Sequence, residues 1–86
     1  MLKITMYGRP PCEDTDRSRE YFKTHHIPFT EVNIDEDQAA EAFVRFINDG
    51  NSSTPTIILN RGDLKIILTE PSDEQLAKVL ALQVAI

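Results

Sequence analysis

The sequence predicts an α/β fold in which a four-stranded mixed sheet is flanked by three helices. Segments with strand patterning alternate with segments of helical periodicity, in the order strand, helix, strand, helix, strand, strand, helix. Glycines and prolines separate these segments. The 86 residues are enough for one hydrophobic core and too few for two, so a single domain over residues 1–86 is expected.

The first strand and helix follow directly from the residue pattern. Residues 2–7 alternate apolar and polar side chains, which is typical of a half-buried strand, and Gly8 with a proline pair ends it. Residues 14–24 then place the aromatic side chains of Tyr21 and Phe22 on one helical stripe. Pro28 prevents this helix from continuing.

A second strand and helix come next. Residues 29–34 again alternate, and the acidic residues 35–37 are placed to cap a helix rather than to bind calcium, because the glycine and glutamate spacing of a calcium loop is missing. Gly50 predicts the C′ position that ends this helix. Its apolar face has the spacing i, i+3, i+4, i+7 and consists of Ala40, Phe43, Val44 and Ile47.

The last third of the chain predicts a hairpin and a closing helix. Residues 54–59 and 64–68 read as strands joined by a turn at residues 60–63. Ser72 and Gln75 form a capping box, and an apolar helical face follows through the C-terminus. A strand–helix–strand unit gives parallel strands with a right-handed crossover, and the hairpin adds an antiparallel pair. The whole order is the thioredoxin-like α/β arrangement.

Composition excludes several classes of function. No apolar run approaches the roughly 20 residues that span a bilayer, and no signal peptide precedes the first strand, so a cytoplasmic protein is expected. A net charge of −5 with scattered basic residues argues against nucleic acid as a partner. The adjacent histidines His25 and His26 have no ligand cluster near them, and no metal is expected.

Cys12 is the candidate nucleophile. It is the single cysteine of the chain and stands at the junction of the first strand and the first helix. Amide N–H groups at a helix N-terminus stabilise a negative charge, which favours the reactive thiolate. The alternative is that Cys12 is a small buried apolar residue.

The sequence resembles the glutaredoxin family over essentially its whole length, and three blocks carry the resemblance. Residues 7–15, Tyr-Gly-Arg-Pro-Pro-Cys-Glu-Asp-Thr, are similar to the family's tyrosine, small residue, basic residue, two variable positions and C-x-x-C. Residues 53–56 are similar to its threonine or valine followed by a cis-proline. Residues 48–51 together with 68–72 look most like the mycoredoxin-type branch.

The chain departs from the family pattern at two places. Thr15 stands where the second cysteine of C-x-x-C would be, so the resolving thiol is missing and Cys12 would work alone. The glycine pair that many glutaredoxins carry before the last helix has no counterpart near Glu70.

The resemblance implies roles for six further residues around Cys12. Arg9 would meet a carboxylate of a small thiol or favour the thiolate, and Thr54 would offer backbone groups to the substrate beside a cis bond to Pro55. Ser72 and Asp73 would hold the α-carboxylate and the amine of the small thiol. Thr15 is either an ordinary helix residue or a hydroxyl donor to the thiolate.

The leading hypothesis is a monomeric single-cysteine glutaredoxin-like thiol-disulfide oxidoreductase of cell redox homeostasis. It would reduce mixed disulfides between proteins and a low-molecular-weight thiol such as glutathione or mycothiol, which serves as co-substrate. One alternative is a non-catalytic thioredoxin-fold module that binds an extended peptide. The other is an iron–sulfur carrier, although residues 13–15 do not match the Gly-Phe-Ser of monothiol cluster binders.

Overall fold

Seven elements form in the predicted order and of the predicted types. The computed structural model describes residues 2–84, with side chains described through residue 81. Residues 85 and 86, to which the sequence extends the last helix, lie outside the described residues. The elements are β1 (Lys3–Gly8), α1 (Glu13–Thr24), β2 (Thr30–Asn33), α2 (Gln38–Ile47), β3 (Thr56–Arg61), β4 (Leu64–Thr69) and α3 (Asp73–Val84).

The sheet is mixed, as predicted, and has the strand order β2-β1-β3-β4. β1 and β2 are parallel, while β1 with β3 and β3 with β4 are antiparallel. Tyr7, near the end of β1, pairs with Thr56 at the start of β3. The loops after β1 and before β3 therefore emerge at the same edge of the sheet, and these loops carry Cys12 and Thr54.

Apolar side chains cover both faces of the sheet. On one face, Phe22 of α1 and Leu76 of α3 pack with residues of β1 and β3. On the other face, Ala40 and Val44 of α2 pack with Ile34 and with the half-buried Val32 of β2. The sheet thus lies between two helical layers. None of the described helices is long and apolar enough to cross a membrane.

Element boundaries differ from the prediction mainly around β3. The strand begins at Thr56 rather than at residue 54, because proline has no N–H to donate to the ladder at position 55. The hairpin turn is shorter than predicted: Arg61 pairs directly with Leu64, and Gly62 takes a φ of 59°. β2 is also shorter than residues 29–34, and Phe29 packs against the core beside it.

Helix caps follow the predicted chemistry. The Asp37 side chain accepts a hydrogen bond of 3.0 Å from the Ala40 N–H at the start of α2. Before α3, Ser72 Oγ accepts from the Gln75 N–H and Gln75 Oε1 accepts from the Ser72 N–H, which completes the capping box. After the end of α2, both Asp49 and Gly50 have a positive φ, of 54° and 91° respectively.

A close approach between β1 and α1 fixes the first turn of that helix. Gly8 lies against the fully buried side chain of Thr15, and a Cβ added at Gly8 would meet Thr15 Cγ2 at 2.5 Å and Oγ1 at 3.1 Å. Any larger residue at position 8 must therefore displace the helix turn that follows Cys12.

We expect Gly8→Ala to destabilise the fold by about 1–3 kcal/mol, the usual cost of overpacking a close-packed interior. Denaturant unfolding measures the change. Thr15→Ser in the Gly8→Ala background removes the methyl group that the new Cβ meets first, and it should recover part of the loss. Equal stability of Gly8→Ala and the unsubstituted protein would show that the contact is not restrictive.

Candidate active site

Cys12 occupies the N-cap position of α1. Its backbone is extended, with φ of −153° and ψ of 114°, and its carbonyl accepts the first helical hydrogen bond from the Asp16 N–H at 3.0 Å. Its side chain makes no capping hydrogen bond and is half-buried. The thiol is therefore near the amide groups of the first turn and still reaches solvent.

Thr54 is the nearest polar neighbour of the thiol. Cys12 Sγ lies 3.4 Å from Thr54 Oγ1 and 3.7 Å from the Thr54 carbonyl oxygen, which accepts from the S–H. The Thr54–Pro55 peptide bond is cis, and so is the Pro10–Pro11 bond, which the sequence analysis did not anticipate. Pro55 itself is buried.

Asn48 anchors the loop that carries Thr54. Its amide nitrogen donates to the Val44 carbonyl and to Thr56 Oγ1, at 2.9 and 3.0 Å. Its amide oxygen accepts from Thr69 Oγ1 at 2.8 Å. One side chain thus ties together the end of α2, the start of β3 and the end of β4. Thr56 Oγ1 in turn donates to the Ser53 carbonyl, which fixes the residue before Thr54.

The surroundings of Cys12 lower the pKa of its thiol below the ordinary value. Partial burial alone would raise this pKa, and the groups that overcome it are the hydroxyls of Thr15 and Thr54 and the backbone N–H groups of Thr15 and Asp14. Each of these groups can donate a hydrogen bond to a thiolate. The thiolate, which is the nucleophilic form, is therefore favoured.

Thr15 is built into the site rather than exposed on the helix. Its side chain is fully buried, and its hydroxyl has no hydrogen-bond partner of regular geometry among the described residues. A buried hydroxyl without a partner is costly unless a nearby charge uses it. The Cys12 thiolate is such a charge, since the Thr15 hydroxyl is one of the groups that lower the thiol pKa.

An open cleft of about 400 Å³ lies beside the thiol. All of its lining side chains are polar, and two are carboxylates. The lining residues are Cys12, Asp14, Asn51, Ser52, Ser53, Thr54 and Glu70. The structure thus brings together Cys12 and Thr54 of the predicted site, with Pro55 and Thr15 directly behind them.

Arg9 is not among the residues that line this cleft. Its guanidinium Nε lies 3.3 Å from Asp35 Oδ1, and its Nη2 lies 3.5 Å from Glu41 Oε2. Asp35 lies in the loop before α2, and Glu41 lies in the first turn of α2. The charge of Arg9 is thus already balanced by groups of the protein itself.

Ser72 and Asp73 also lie outside the cleft. The Ser72 hydroxyl is used as the cap of α3. Asp73 lines a separate hollow of about 300 Å³ between α1 and α3, together with Arg17, Tyr21 and His25. Neither residue lines the Cys12 cleft, and their contacts with the carboxylate and amine of a small thiol stay a prediction.

Several residues that line the cleft are not predicted from the sequence. Glu70 lines the cleft with its backbone in the left-handed region, at a φ of 48°. A glutamate gives no indication of that conformation in the sequence. Asn51 and Ser52 reach it through a loop whose course depends on Asn48. The run of three hydroxyl side chains immediately before Pro55 is the one local signal that could have indicated the cleft wall.

The described part of the chain offers no donor set for a metal ion. Among the described residues, no group of three or more histidine, cysteine, aspartate or glutamate side chains is arranged to hold a metal ion. What the arrangement offers is a half-exposed thiol with a lowered pKa that opens on a polar cleft. Such a thiol can attack a disulfide.

Solved structures of known proteins share the fold. The thioredoxin-like protein BC3987 superposes with a TM-score of 0.73 at 25% identity, covering 90% of this chain and 99% of that one. A glutaredoxin from Archaeoglobus fulgidus superposes with a TM-score of 0.66 at 23% identity, covering 93% and 87% of the two chains. The thioredoxin-like architecture predicted from the element order is confirmed.

Sequence comparison identifies the family. Residues 4–63 match the family model described as Glutaredoxin. The chain is 33% identical over 78 residues to proteins from two strains of Mycobacterium tuberculosis whose names assign them provisionally to the glutaredoxins, covering 90% of this chain and 89% of each relative. This family and fold support a role of the thiol-disulfide oxidoreductase type. The chain belongs to the glutaredoxin family.

Proposed function

We propose that this protein reduces mixed disulfides between proteins and a low-molecular-weight thiol, and that Cys12 alone carries the covalent chemistry. The observation that carries the proposal is the half-exposed thiol whose pKa is lowered at the mouth of the cleft. The single cysteine limits the protein to a monothiol route, because no second thiol can close an internal disulfide.

The first step transfers the small thiol to the enzyme. The Cys12 thiolate attacks the sulfur of the small-thiol half of the mixed disulfide, a new S–S bond forms on Cys12, and the substrate protein leaves as a thiolate that takes a proton from water. The Thr54 backbone is proposed to align the substrate, since its carbonyl lies beside the attacking sulfur.

The second step restores the enzyme. The thiolate of a second small-thiol molecule attacks the small-thiol sulfur bound to Cys12, the oxidised small thiol leaves, and the Cys12 thiolate returns. The pKa of Cys12 is lowered by the hydroxyls of Thr15 and Thr54 and by the helix amides. Cys12 is therefore a better leaving group in this step than an ordinary cysteine. A monomer in the reducing cytoplasm is the proposed setting for both steps.

Cys12→Ser should reduce turnover of a protein–glutathione mixed disulfide to the background rate. Because Cys12 is half-buried and packs little, the free energy of unfolding should change by no more than about 0.5 kcal/mol. Turnover assays and denaturant unfolding, run together, measure both effects. The oxidised small thiol should also form an adduct on the unsubstituted protein that intact mass detects and that Cys12→Ser lacks.

Asp63→Asn, in the hairpin turn at the opposite end of β3, is the control and should behave as the unsubstituted protein. Turnover that survives in Cys12→Ser would remove the proposed nucleophile. An inactive unsubstituted protein together with a strongly destabilised Cys12→Ser would instead support a peptide-binding module in which Cys12 is structural.

Thr15→Val should raise the Cys12 pKa, because it replaces a donor to the thiolate with a methyl group of the same shape. The rate of alkylation by iodoacetamide, followed from acid to alkaline pH, reports the midpoint. Ser18→Ala is the matched control, since it removes another buried and unpartnered hydroxyl of α1 that does not act on the thiol. Equal midpoints for both variants would show that Thr15 has no electrostatic role.

A further inference from the structure

The cleft beside Cys12 is unbalanced in charge. Its lining includes two carboxylates, those of Asp14 and Glu70, and no basic side chain. The other lining residues besides Cys12 are neutral hydroxyl or amide groups. The half of a disulfide substrate that becomes bonded to Cys12 therefore lies in a negatively charged environment.

Glu70 accounts for most of the uncompensated negative charge of the cleft. Arg17 Nη1 lies 2.9 Å from Asp14 Oδ1, so the Asp14 carboxylate is largely compensated. No ion pair involves Glu70 among the residues described. The Glu70 N–H donates to the Pro55 carbonyl at 2.8 Å, and the next residue, Pro71, is buried. The backbone that presents Glu70 is thus tied to the same loop that positions Thr54.

The basic residue nearest in sequence to Cys12 does not offset this charge. Arg9 is held between Asp35 and Glu41, and Arg17 also reaches the Pro71 carbonyl at 3.4 Å. A substrate carboxylate would have to displace an existing ion pair to gain a cation. A substrate ammonium would find Glu70 without a partner.

We propose that Glu70 is a specificity-determining residue and makes the cleft select small thiols with a positively charged group over those with a carboxylate. The inference rests on the proposed function, because it concerns the small thiol that becomes bonded to Cys12. The exchange reaction itself depends on the Cys12 thiolate and on the buried Thr15 hydroxyl beside it. Glu70 affects only which disulfide approaches it.

Three symmetric disulfides of similar size test the proposal. They are cystamine, which carries ammonium groups, bis(2-hydroxyethyl) disulfide, which is neutral, and 3,3′-dithiodipropionate, which carries carboxylates. Each reacts with Cys12 by the same balanced exchange: the thiolate displaces one half as a thiolate and keeps the other in a mixed disulfide. Intact mass of acid-quenched samples gives the three rates for the unsubstituted protein, Glu70→Gln and the control Asp63→Asn.

The readout is the ratio of the cystamine rate to the dithiodipropionate rate. One unit charge near the reacting group changes a rate by about five-fold at moderate ionic strength. Glu70→Gln should therefore lower the ratio by about five-fold if one rate responds, and by up to about 25-fold if both rates move in opposite directions. Any change in the Cys12 pKa alters all three rates together and cancels in the ratio. Asp63→Asn should keep the original ratio, and added salt should reduce it.

A ratio that is the same in Glu70→Gln and the unsubstituted protein would overturn the proposal while leaving the oxidoreductase function intact. No adduct with any of the three disulfides would overturn the function itself, and the inference with it. The two failures are thus distinguishable within one set of measurements.

Discussion

The contact between Gly8 and Thr15 is the constraint on which the site depends. It brings the first turn of α1 against the end of β1, at a distance that only a residue without a Cβ permits. Because Thr15 cannot move away, its hydroxyl stays buried beside Cys12, and the amides of the same turn stay beside the sulfur. The loop on the other side is fixed independently, through the three hydrogen bonds of Asn48.

Two opposing electrostatic influences meet at this point. Donors within hydrogen-bonding range favour the Cys12 thiolate, whereas the carboxylates of Asp14 and Glu70 face the cleft into which it opens. The donors act at hydrogen-bonding range and outweigh desolvation, so the pKa of the thiol is lowered. The carboxylates are not among the groups that shift this pKa, and we place their effect on the approaching substrate, where salt reduces it. Reactivity and selectivity are therefore set by different groups.

The sequence predicts the parts of this structure that depend on neighbours along the chain. Periodicity gives the order of all seven elements, and the capping residues Asp37 and Ser72 mark helix starts, because these signals are local. The ion pair of Arg9 with Glu41 could not be predicted from the sequence, because it spans 32 residues and forms only when α2 packs on the sheet. The position of Glu70 depends on a left-handed backbone that a glutamate does not signal.

The central claim is that the fold itself lowers the pKa of the Cys12 thiol. The ultraviolet absorbance of the thiolate, titrated against pH with Cys12→Ser as the blank for the two tyrosines, tests it most directly. The midpoint should lie below that of a free cysteine, roughly 8.5, because the donors around the sulfur stabilise the thiolate. A midpoint at or above that of a free cysteine would mean that desolvation outweighs the donors, and it would contradict this account.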